Sequence, residues 1–289
     1  MTDQAKGVLL TTIGVIAIIP DSLLIRLIDA EVLVIAFWRS SLAGVVLILV
    51  IGLRQKSNTL RAIVQLRWSG AIYTALSALA TLLFVVAIET TTVASTLFIV
   101  STTPVFSAIM GRFVLREPVG QRMIWTILLS IFGIGIIVWG PEGGPSKAAV
   151  GDFAALGVAL CLSISYTVAR RARRFSMVPA AALSQLLLAF VILAVTNPFV
   201  LSGASWVYAL VLGGMLVPLG TAMLAIGPRY ITAAEVSLLL LLEAALAPVL
   251  VWLVLGETPS QHVILGGALL LTVLTVSNLI GLRSNGRLA

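Results

Sequence analysis

Apolar residues fill this chain in long uninterrupted runs, and charge, proline, glycine and asparagine collect in the short gaps between them. The runs are continuous and do not alternate as membrane β-strands do, so a barrel reading fails. A helix needs about 20 largely apolar residues to cross a bilayer. Ten windows meet or approach that length: 7–27, 32–53, 68–88, 93–113, 123–140, 151–169, 180–200, 206–226, 233–255 and 262–282. They predict an all-α polytopic membrane protein with ten transmembrane helices. The loops left over are too short to hold a soluble domain of ordinary size.

Composition and charge sharpen the picture. Hydrophobic residues make up 60% of the 289 and charged residues 10%, which is far from the charged coat of a soluble domain. The first window reads as a retained span: only Met1–Lys6 precede it, it is too long for a signal, and Ile25–Ala30 offers no small-x-small cleavage site. The net charge of +7 sits at helix ends and not in one patch, so nucleic acid is not an expected partner. With the N-terminus inside, 15 of the 18 Lys and Arg fall on the cytoplasmic side, Arg54, Lys56, Arg61, Arg67 and Arg170–Arg174 among them. The positive-inside rule then places both termini in the cytoplasm, for a multi-pass protein of the plasma (inner) membrane. Trp68, Trp125, Trp139, Trp206 and Trp252 fall at span ends and Trp38 about two turns in, which reads as an interfacial belt. The lone Cys161 has no partner for an internal disulfide.

The loop Pro141-Glu142-Gly143-Gly144-Pro145-Ser146 divides the chain into units 1–145 and 146–289, each with five windows. Val114-Leu115-Arg116-Glu117-Pro118-Val119-Gly120-Gln121 returns 140 residues later as Val254-Leu255-Gly256-Glu257-Thr258-Pro259-Ser260-Gln261. Ala94 matches Ala234, and Trp68 matches Trp206 with a two-residue slip. Five is odd, so the two copies enter the membrane from opposite sides. Inverted repeats of this kind build many secondary carriers, with a site where the halves cross.

These repeats, the early pair Trp38-Arg39, and the closing segments Leu115-Arg116-Glu117 and Leu255-Gly256-Glu257 resemble the drug/metabolite transporter superfamily, EamA type, over nearly the whole chain. The stretch Leu238–Glu243 is similar to that family's ninth-helix motif. The family usually places Pro directly after this Glu, whereas here Ala244 follows and Pro248 comes a turn later. Within the superfamily the likeness is to YddG-type aromatic amino-acid exporters. The resemblance implies a cavity between helices one, three, four, six, eight and nine.

An acidic residue deep in a span costs about 2.5–3.5 kcal/mol on insertion scales, which invites a functional reading. Glu243 lies about 16 Å into the ninth window, where it reads either as a substrate or proton carrier or as a structural hydrogen-bond partner. Glu235, nearer the inner end, reads as a first-turn acid favoured by the helix dipole. Asp21 follows Pro20 and either caps a broken helix or lines a vestibule. Arg39 reads as a structural pairing that snorkels outward, with a carboxylate anchor as the other reading. Pro104 and Pro248 interrupt symmetry-related helices, the arrangement that points to a carrier's site. Ser101, Thr102 and Thr103 cluster at Pro104, able to bond either its freed carbonyl or a ligand.

Phe98 and Leu239 supply apolar wall, and Ser163, Ser165 and Thr221 add small polar groups. Tyr73 and Tyr166 read as belt residues, and Glu117 and Glu257 as N-caps of the helices that follow them. Gly133, Gly135, Gly266 and Gly267 read as packing positions. The single His262 cannot assemble a metal site, and no nucleotide loop or nucleophile motif occurs.

The expectation is therefore a carrier, not an enzyme, without metal or cofactor, exporting small organic metabolites by alternating access. Apolar or aromatic amino acids are the first cargo expected, since a phosphorylated cargo calls for several buried cations. Lipophilic drugs or cations are the alternative, and an enzyme acting on a lipid-linked substrate is a further one. Its expected contacts are the cargo and membrane lipid; the oligomeric state is left open, a monomer being one option.

Overall fold

The computed structural model describes residues 3–55, 67–110, 121–138, 147–172, 175–231 and 233–285. Helices account for the regular structure among them, with no strand. Six are long and apolar enough to cross a membrane: Ala5–Leu27, Val32–Leu53, Trp68–Thr90, Ala149–Arg171, Val178–Val195 and Ser205–Ile226. Four shorter apolar helices, Val93–Ser107, Ile124–Ile136, Leu239–Leu255 and Gln261–Ser277, lie in the remaining windows. The exterior is oily, with Leu253 73% and Phe190 72% exposed. Water would penalise such a surface, whereas lipid accepts it. The molecule is a multi-pass membrane protein.

Several windows are broken where the sequence removes a backbone donor. The first holds α1 (Asp3–Ile18) and α2 (Asp21–Leu27), parted at Pro20, whose ring cannot continue the ladder. Next come α3 (Val32–Gln55) and α4 (Arg67–Thr90). The fourth window splits into α5 (Val93–Val100) and α6 (Thr103–Met110) at a turn before Pro104. Thr92 caps α5 by accepting the Ser95 N–H at 3.1 Å. The fifth window is α7 (Gln121–Val138).

The second half holds α8 (Lys147–Arg171) and α9 (Val178–Val195). The 180–200 window stops early at Val195, because Asn197 precedes Pro198 and such a residue is pushed out of helical geometry. Then α10 (Ser205–Val211) runs through a π-helical turn, Leu212–Leu216, into α11 (Val217–Ile226). The wider turn accommodates Pro218, which cannot donate to the turn before it. Last are α12 (Ala233–Leu255), with Pro248 inside it, and α13 (Gln261–Asn285). Gly256, at φ 68°, ends α12 in the left-handed region, with its N–H bonded to Trp252 O at 2.9 Å.

Packing crosses the midpoint of the chain. Helix α4 packs on α8 and α9, α3 on α9, α1 on α11 and α12, α5 on α8 and α12, and α7 on α13. Exchanging the two halves returns α3–α9, α5–α12 and α7–α13 to themselves, swaps α4–α8 with α1–α11 and α5–α8 with α1–α12, and turns α4–α9 into the α3–α11 contact that also forms. This pseudo-twofold pattern leaves the broken helices α1–α2 and α5–α6, the π-interrupted α10–α11 and the proline-bearing α12 around the centre. The α7–α13 pair stands aside, joined by Thr126 and Ser277 at 2.6 Å and by Gly133 set against Leu270. Gly267 packs on the Phe98 ring, while Gly135 faces open space, so the packing role holds for two of these glycines and not for Gly135.

Candidate functional site

A cavity of about 160 Å³ opens among the central helices, lined by α1, α2, α3, α4, α5, α6, α8, α9, α11 and α12. One face of α4 contributes Tyr73, Ser77, Thr81 and Phe84, spaced at roughly helical intervals. Of the residues singled out in the sequence, Glu243, Ser101, Thr103, Pro104, Thr221, Asp21 and Arg39 line it. They converge from five helices: Asp21 and the Ser101–Pro104 group stand at helix breaks, and Arg39, Thr221 and Glu243 within helices.

Charge in the cavity is unevenly partnered. Arg39 is buried and grips Asp21 with two parallel bonds, Nε to Oδ1 at 3.1 Å and Nη2 to Oδ2 at 2.5 Å. The guanidinium also lies 5.8 Å from the centre of the Phe84 ring. It therefore does not snorkel to the interface. The α2 start supplies Asp21 at the Pro20 break, so its role is pairing and lining together. Glu243 has the Asp21–Arg39 pair as its electrostatic neighbour. Among the described residues its carboxylate accepts no hydrogen bond and forms no ion pair. Asp21 is a second acid in the same cavity, yet both of its oxygens are held by Arg39.

The hydroxyls at the α5–α6 break face their own backbone. Ser101, Thr102 and Thr103 donate to the carbonyls of Phe98, Ile99 and Val100, each at 2.6 Å. The Thr103 bond matters most, because Val100 O is the carbonyl that Pro104 cannot serve. These protons are committed, and only oxygen lone pairs at Ser101 and Thr103 remain for a ligand.

Other expected lining residues lie elsewhere. Thr102 is fully buried behind the turn. Ser163 is buried and donates to Leu160 O at 2.8 Å, and Ser165 is buried with its Oγ 3.5 Å from that of Ser77. Phe98 turns away towards Gly267. Pro248 sits about one turn of α12 beyond Ala244, the last of the lining positions Leu240, Leu241, Glu243 and Ala244, and Leu239 is not among them. The side chain of Glu235 lies outside the described residues, as do Glu117, Trp139 and the central loop.

Conversely, Tyr73 and Tyr166 line the cavity and are not belt residues. So do Ser184 and Gln185 of α9, which carry no mid-span charge to draw notice. Asp152 was also unmarked: it is buried near the start of α8 and accepts from Ser95 Oγ at 2.6 Å and Thr91 Oγ1 at 3.1 Å. The signal was present, as an acid just inside the sixth window.

One end of the bundle is tied across the two halves. Arg26 Nη2 donates to Thr91 O at 2.6 Å and its Nε lies 3.5 Å from Glu257. Glu257 accepts the Val93 N–H at 2.9 Å. It thus caps α5, in the other half, and Ser260 caps the helix that follows by accepting from Val263 N at 3.4 Å. At the same end Trp38 packs on Trp206 with ring centres 4.5 Å apart, while Trp68, Trp125 and Trp252 stay exposed.

No curated protein matches the chain. A solved crystal structure of a protein superposes with a TM-score of 0.70 at 18% identity, covering 97% of this chain and 99% of the other. At that identity the likeness concerns the fold. Residues 5–139 and 149–279 each match the EamA-like transporter family, one match per half, in keeping with the exchange symmetry of the helix pairs. The chain belongs to the EamA-like transporter family.

Proposed function

We propose that this chain is a ten-helix secondary carrier whose halves, 1–145 and 146–289, are inverted repeats, with both termini in the cytoplasm of a plasma (inner) membrane. It exports small organic metabolites bearing an amine, with apolar and aromatic amino acids as first cargo, as in YddG-type exporters. The observation that carries this reading is Glu243, a carboxylate without a described partner facing a largely apolar cavity. It takes the cargo's ammonium. Arg39 Nη1, which has no hydrogen-bond partner among the described residues, takes the carboxylate, and Phe84, Tyr73 and Tyr166 flank the side chain. The Arg26–Glu257 tie lies on the outer side and breaks when the halves rock to expose the cavity there.

A second reading keeps the mechanism and changes the cargo. The Asp21–Arg39 pair is neutral as a unit, so ionised Glu243 leaves the cavity one negative charge in excess. A lipophilic monocation balances that charge and a zwitterion does not. Counterflow by purified protein in liposomes, over amino acids and organic amines, separates the two. Either cargo loses transport in Glu243→Gln; full activity in that variant removes Glu243 from the mechanism.

A further inference from the structure

Gln185 of α9 lines the cavity and is only 4% exposed. Its Nε2 lies 3.4 Å from Thr81 Oγ1, and the Thr81 hydroxyl donates to Ser77 O at 3.0 Å. That proton is committed, so Thr81 meets the amide as an acceptor, and this fixes which end of the amide faces it. The carbonyl end is left over. Oε1 is buried and has no donor among the described residues. The adjacent hydroxyl cannot serve it, because Ser184 gives its proton to Ala181 O at 2.7 Å. A buried acceptor without a donor is rare in folded proteins and calls for a reason.

We infer that Gln185 Oε1 is a second cargo subsite, which accepts an N–H or O–H of the transported molecule. The inference rests on the carrier reading above and deepens it. Glu243 and Gln185 are then two acceptors without protein donors in one cavity. Together they select a cargo with donors over a quaternary ammonium that has none. Gln185 contributes orientation and specificity, not charge.

The test is a ligand-residue coupling measured by calorimetry on the purified full-length chain. The probes are phenethylammonium, its N-trimethyl analogue, tyramine, phenylalanine and tyrosine, which differ stepwise in N–H and O–H donors. In the wild type at least one donor removal weakens binding about tenfold; in Gln185→Met the same removal costs less than about twofold. Equal costs in both proteins overturn the subsite. If the probes bind and Glu243→Gln loses them while Gln185→Met shows no coupling, the subsite alone fails. If no probe binds the wild type, the carrier reading for amines fails and the subsite with it. Should Gln185→Met not fold, Gln185→Glu decides: it keeps the oxygen and adds charge, so the coupling rises, and an unchanged coupling contradicts the inference.

Discussion

Arg39 and Asp21 stand 18 residues apart in the chain and meet side by side at the cavity wall, guanidinium to carboxylate through two bonds. The fork geometry is one that lysine cannot reproduce. Because Asp21 opens α2 at the Pro20 break, the pair also ties a broken helix to the unbroken α3. Removing one partner strands the other charge in a buried site, at a cost of about 3–5 kcal/mol. We expect Arg39→Gln and Asp21→Asn each to lose that order of stability in thermal or denaturant unfolding. The double replacement Arg39→Met with Asp21→Leu recovers most of it, and strict additivity of the two single losses would be the contrary result.

A second prediction concerns the π-helical turn that backs this pair. A Cβ placed on Gly213 would lie 2.8 Å from Trp38 O and 3.0 Å from Arg39 O, whereas one on Gly214 meets nothing within 4 Å. Backbone cannot step aside as a flexible side chain does. Gly213→Ala is expected to destabilise by about 1–3 kcal/mol through overpacking and to displace Arg39, so transport falls too. Gly214→Ala is expected to be neutral or stabilising by up to about 1 kcal/mol. Equal unfolding midpoints for the two variants would contradict the close approach.

The third prediction isolates the α5–α6 break. Thr103→Val leaves Val100 O without the hydroxyl that compensates for Pro104 and costs about 1–3 kcal/mol. Adding Pro104→Ala restores a backbone N–H to that carbonyl. The double variant should unfold later than Thr103→Val alone. If it unfolds earlier, the hydroxyl is not covering the proline's missing bond.

The helical windows were legible because lipid enforces them: apolar length and charge gaps decide where a span begins and ends. Glu243 and Asp21 were legible as acids inside apolar windows, and both line the cavity; the doubling of the fold was legible through the returning Glu-Pro and Glu-Thr-Pro segments. Which way each helix faces was not. A helix oily on every side offers no polar stripe to orient it, so Ser163, Ser165, Thr102 and Phe98 looked as suited to the cavity as Thr221. The two tyrosines line the cavity against the belt expectation because amphipathic rings serve an interface and a cavity of mixed polarity equally well. Gln185 and Asp152 depend on partners from other helices, Thr81 in one case and Ser95 with Thr91 in the other. No spacing along the chain reveals such partners.

Alternating access of one cavity is the centre of this account, and Ser77 on its wall reports it most directly. In a Cys161→Ala background, Ser77→Cys in sealed vesicles of each orientation is treated with a membrane-impermeant maleimide. The account predicts labelling from both faces, with the balance between them shifted by a transported amine. Labelling confined to one face, whatever amine or amino acid is present, would contradict it.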